Sequence, residues 1–141
     1  MRIVWKHFPL PMHNDALLAH FASVAAQQQG KFWEFHDKLF ANQSKIKSDD
    51  LTKYAREIGL DMKRFEQDLV SPKTKAIVDA DVAEGKSLGV TGTPGFFVNG
   101  RYLSGAKPFD EFAQVINAEL AKRNIPAPAA PAAPAAEKKG G

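Results

Sequence analysis

The chain has 141 residues, 44% of them hydrophobic, a formal net charge of +3 and no cysteine. This is a one-domain length with enough apolar side chains for a core, and the lack of cysteine excludes internal disulfides, thiolate metal sites and thiol nucleophiles. The cations, Lys31, Lys38, Lys53 and Arg56 among them, are interleaved with acids and form no block, which argues against a nucleic-acid surface.

No run reaches membrane-span length, and residues 1–9 are too short and interrupted for an export signal. As written, the sequence is therefore expected in the cytoplasm. Residues 3–8 are β-branched and aromatic, are stopped by Pro9 and Pro11, and predict a strand. Asn14 is placed to cap a helix over 15–29, with Leu17, Leu18, Phe21, Val24 and Ala25 on one face and Gly30 as its stop. Residues 31–41 carry Phe32, Phe35, Leu39 and Phe40 at helical spacing. The aromatic group Phe32, Trp33, Phe35 and Phe40 is of a kind more often core than docking surface.

Ser48 is the expected cap of a helix to Ile58, and Asp61 the cap of another over 62–69. Ser71-Pro72, a cap followed by proline at the first helical position, opens a long helix to Leu88 with Gly89 behind it. Two short strands follow, 96–98 and 101–103, around Asn99-Gly100. Asn-Gly is a strong hairpin signal because both positions must accept positive φ. Pro108 opens a last helix bearing Phe109, Phe112, Val115, Ile116 and Leu120. The expected division is a domain over 1–124 and an Ala/Pro-rich tail over 125–141, semi-extended with nothing to bury.

The stretch Val90-Thr91-Gly92-Thr93-Pro94-Gly95-Phe96-Phe97-Val98-Asn99-Gly100 reads as a proline turn, an apolar strand and a hairpin. It resembles the cis-proline segment of the DsbA-type thiol–disulfide oxidoreductases. Further pieces match in order: Phe8-Pro9-Leu10 with His13, Gly30-Lys31-Phe32-Trp33-Glu34, His36-Asp37-Lys38-Leu39-Phe40, then Leu51, Tyr54, Ala55 and Ile58-Gly59-Leu60-Asp61. The resemblance covers nearly all of 2–121 and implies an α/β, thioredoxin-like, three-layer fold with a helical insertion. It also implies an incomplete sheet, because the family's first strand and its C-x-x-C helix have no counterpart here. In the family that missing strand is central, and each buried backbone group left unpaired costs about 1–3 kcal/mol.

The resemblance assigns a peptide-binding role to Val90, Gly92, Thr93 and Pro94. The backbone of Thr93, before a cis Pro94, would meet an extended peptide as an added strand. No residue here replaces the family's thiolate, so the chain is expected to be redox-inactive as written, with no catalytic residue and no cofactor. Ser48 and Ser71 are read as caps. His13 and His20, seven residues apart, share one face of the first helical region, whereas His7 and His36 lie elsewhere. No set of three or four convergent ligands emerges, and no metal is expected. Glu34, His36 and Asp37 read as an ordinary helix face.

Two functional readings stay open. In one the chain is a redox-inactive module that binds an extended peptide or protein partner at the proline loop, or self-associates through open sheet edges. In the other it is a truncated piece of an active disulfide oxidoreductase or isomerase of the cell envelope, whose C-x-x-C lies upstream of Met1. A kappa-class glutathione transferase relative shares the fold, but the Gly92-Thr93-Pro94-Gly95-Phe96-Phe97 run and the short insert favour the DsbA side.

Overall fold

The computed structural model describes residues 1–128. They form two compact units, divided between Thr93 and Pro94. The expected tail therefore lies, beyond residue 128, outside the described residues.

The first unit is helical. Its core is built where the apolar faces of α1 (Ala16–Gln27), α2 (Phe32–Ala41), α3 (Ser48–Glu57) and α4 (Met62–Leu69) meet. Ala22, Ala25 and Ala26 of α1 are fully buried, and these small side chains let Phe35 of α2, Leu51 and Ala55 of α3 and Phe65 of α4 close over them. The Phe35 and Phe65 rings lie 6.1 Å apart, within aromatic contact range. The longest helix, α5 (Pro72–Ser87), packs on α1 and α4.

Polar side chains finish the ends. Asp61 Oδ1 accepts from Arg64 N–H at 2.9 Å and Ser71 Oγ from Thr74 N–H at 3.1 Å, the capping bonds expected. Gln29 brackets the Asp61 peptide, accepting its N–H at 2.9 Å and donating to its carbonyl at 3.2 Å. Two expected caps are corrected. Asp15 rather than Asn14 precedes α1 and makes no side-chain cap bond. Ser48 is the first residue of α3, preceded by Lys47, whose N–H is taken by Asp50 Oδ2 at 3.3 Å.

The second unit comprises β1 (Gly95–Val98), β2 (Arg101–Ser104) and α6 (Phe109–Ala121). The strands pair antiparallel with Phe96 opposite Leu103 and Phe97 opposite Tyr102. Asn99 at φ +48° and Gly100 at φ +86° make the predicted turn. Alternation sends Phe96 toward α6, where its ring meets Phe112 edge-on at 4.7 Å, and sets Phe97 and Tyr102 together on the other face. Glu119 of α6 accepts from Lys122 Nζ at 2.6 Å. That bond, helped by Asn99 and Arg101, holds its carboxyl below the usual range.

The architecture is thus mostly helical with a small, incomplete sheet. Residues 3–8 are the main correction. They form no ladder, and among the described residues the sheet holds β1 and β2 alone. A strand exists only by pairing with another backbone. Here the segment is held instead by side chains. His7 N–H donates to Asp81 Oδ2 at 2.9 Å, and Lys6 Nζ meets Asp81 Oδ1 at 2.9 Å and Glu84 Oε2 at 2.8 Å.

Candidate functional site

The proline segment is shaped at both ends by backbone bonds. At the end of α5, Val90 N–H closes onto Gly85 carbonyl at 2.9 Å and Gly89 N–H onto Lys86 carbonyl at 3.1 Å, a Schellman-type finish that turns the chain out of the helix. Residues 92–94 then bend, and Pro94 leads straight into β1. On the strand side, Pro94 carbonyl accepts from Gly105 N–H at 2.8 Å, which extends the hairpin ladder by one bond. Thr93 and Pro94 are exposed, while Val90 and Gly92 are half-buried. β1 uses one edge for β2, and no strand occupies its other edge among the described residues.

The histidines fall otherwise than expected. His7, expected elsewhere, meets His20: the two Nδ1 atoms are 2.9 Å apart and the rings stand at 88°. Burial lowers the pKa of both imidazoles, His20 to about 4 with a further push from His7. His36 is no ordinary surface residue either. Its ring stacks on Phe40 at 4.4 Å, meets Trp5 at 5.0 Å and Trp33 at 5.3 Å, and its Nδ1 lies 2.9 Å from Asp37 Oδ1. Of the aromatics on α2, Phe35 is core, as expected of the group, but Trp33 and Phe40 are about half exposed. No group of three or more metal-ligating side chains assembles among the described residues.

Sequence reading missed the His7–His20 contact and its neighbour Asp81. Thirteen residues separate the two histidines, and no helical or strand periodicity links an extended segment to a helix face. The sequence signal was limited to the presence of two histidines near a candidate strand and helix.

A helical insert, a proline bend running into a hairpin strand and a closing helix define the class: a thioredoxin-like fold. The chain matches the sequence model of the DSBA-like thioredoxin domain over residues 1–117, and it belongs to that family. A thioredoxin-like oxidoreductase from Silicibacter pomeroyi superposes with a TM-score of 0.75 at 28% identity, covering 82% of this chain and 66% of that one. The chain is 36% identical to the Na(+)/H(+) antiporter NhaA 3 of Salinispora tropica over 126 residues, 89% of this chain and 19% of the antiporter. It is 42% identical to the antiporter NhaA of Herminiimonas arsenicoxydans over 106 residues, 75% of this chain and 17% of that protein. The chain therefore spans about a fifth of the length of these curated relatives. No helix among the described residues is long and apolar enough to cross a membrane.

Proposed function

We propose that this DsbA-like domain binds extended polypeptide at the Thr93–Pro94 bend and performs no sulfur chemistry with its own residues. The observation that supports this reading is the exposed bend leading directly into β1, whose second edge carries no strand among the described residues. An extended peptide adding to that edge satisfies backbone donors and acceptors on both sides, with affinity from the main chain and choice of sequence from flanking side chains. In this reading the Thr93–Pro94 bond is cis. With no cysteine in the chain, there is no thiolate to attack a disulfide.

The test is an NMR titration of the whole chain with a synthetic nine-residue Val/Thr/Ser peptide blocked at both termini. Amides of residues 91–98 are expected to shift selectively, and Thr93→Arg to abolish the shift. A flat titration at millimolar peptide, or shifts centred on α1–α4, overturns the reading.

A second reading is favoured by the unpaired residues 3–8 and by the short span of the match to its relatives. Here the same surface serves a longer polypeptide in which a C-x-x-C pair lies upstream, or in which the domain is one part of a membrane antiporter of the kind the relatives are named for. The intact mass of the protein in its source cells decides it: a species near 15.5 kDa supports the stand-alone module, and a heavier one supports this second reading. Self-association through β1 is a third use of the same edge, reported by light scattering as a discrete dimer.

A further inference from the structure

We propose that His7 and His20 form an acid-sensitive clasp that holds the amino-terminal segment on the helical unit at neutral pH and releases it on acidification. The clasp is independent of the peptide-binding reading. Residues 3–8 have no ladder to hold them, so their position depends on a few side chains. His7 is the most buried of them, 3% exposed. Its ring meets His20 of α1 through a 2.9 Å contact between the two Nδ1 atoms, and packs edge-on against Phe32 of α2 at 6.2 Å.

That contact carries its own proton requirement. Two imidazole nitrogens at 2.9 Å need one N–H and one lone pair between them. A first extra proton can settle on the outer nitrogen of the donor ring and leave the bond standing. The second converts the acceptor into a donor. Two N–H groups then point at each other across the contact, and two positive rings sit in a mostly buried place. The bond breaks.

The charged groups around the pair set its bias. Lys6, on the same segment, opposes protonation of His7; Asp81 of α5 favours it in both rings; Glu84 of α5 pairs with Lys6. From α2, His36 with its Asp37 partner reaches the neighbourhood through the rings of Trp5 and Phe32. Burial outweighs Asp81, and the clasped imidazoles stay neutral below the usual range.

The sign follows directly. The clasped form binds fewer protons than the released form, in which both histidines titrate near the ordinary value of about 6.5, so release is favoured as pH falls. His20 alone, moving from 6.5 to about 4, shifts the released-to-clasped ratio by about 100-fold between neutral pH and pH 4. What is let go is an apolar strand-like segment, with Ile3 and Val4 already 67% and 61% exposed. Release makes its backbone available to a sheet edge and uncovers Phe32.

The test follows backbone amides and histidine ring signals of the whole chain by NMR from pH 7.5 to 4. Amides of residues 3–8 are expected to move toward random-coil positions between pH 6.5 and 4, with His7 and His20 titrating together, while α1–α5 keep their dispersion. His20→Phe is expected to remove that transition. The proposal is overturned if residues 3–8 stay in place at pH 4, or if all helices melt with them. It is also overturned if the two rings titrate independently at their ordinary pKa without release. A transition that persists in His20→Phe and disappears in Asp81→Asn assigns the release to the carboxylate, and equally overturns it. Should His20→Phe not fold, the coincidence of ring titration and segment release in the unaltered chain decides the matter.

Discussion

Gly85→Ala sets two effects of similar size against each other. Gly85 lies in the last turn of α5, and a Cβ built there sits 2.8 Å from both Cδ2 and Cε2 of Phe8. Carbons in favourable contact sit about 3.5–4.0 Å apart, so something has to give. The neighbour is a half-buried aromatic ring on a segment without ladder bonds, and it is the ring that yields. The helix gains up to about 1 kcal/mol from replacing glycine with alanine, nearer about 0.5 kcal/mol at a frayed end. Phe8, swung out, forfeits roughly half of the about 1.5–3 kcal/mol that full burial supplies. Global stability, read as the urea midpoint by far-UV circular dichroism, is therefore expected to change by less than about 0.5 kcal/mol, because the helix gain and the lost Phe8 packing oppose each other. The segment pays separately: about 1 kcal/mol less holding energy lowers the protection of the His7 amide by about fivefold. That amide is the one tied to Asp81 at 2.9 Å, so hydrogen exchange reports it directly. A clear gain in global stability with unchanged His7 protection would mean instead that Phe8 does not anchor the segment over α5.

Phe35→Ala empties a fully buried site between α1, α3 and α4 and is expected to cost about 3–5 kcal/mol in urea unfolding, a large share of the about 5–15 kcal/mol of a typical domain. A cost under about 1 kcal/mol would show that Phe35 does not organise this core. Gly100→Ala forces a Cβ onto φ +86°, at about 1–2 kcal/mol. Faster exchange of the β1 and β2 amides is expected, with α1–α5 unaffected; equal loss of protection across the helices would contradict a local turn defect.

How much was legible in the sequence depends on the range of the force that decides each element. The caps Asp61 and Ser71, the stops Gly59 and Gly89 and the Asn99-Gly100 turn act within four residues, and they placed α4, α5 and the hairpin close to where they lie. The ordered family resemblance across 2–121 did the same for the fold class, which the match over 1–117 bears out. Ser48 shows the limit even of local signals: a serine before a helix is a good cap, but Asp50 bonding to Lys47 N–H starts α3 one residue earlier.

Residues 3–8 were wrong as a strand for a reason no local pattern contains. β-branched and aromatic composition describes a segment that suits a ladder, whereas a ladder needs a second backbone at about 4.8 Å. Without one, the same residues lie along the helices, tied by Asp81 and His20. The helices, the turn, the family and the absence of any thiol were therefore readable along the chain, because these follow from residue type and short-range spacing. That Phe35 is core while Trp33 and Phe40 are about half exposed, and that His7 meets His20, emerged with the packing of the helices. Such contacts depend on which surfaces remain to be covered once all the helices have packed, a quantity no single segment carries.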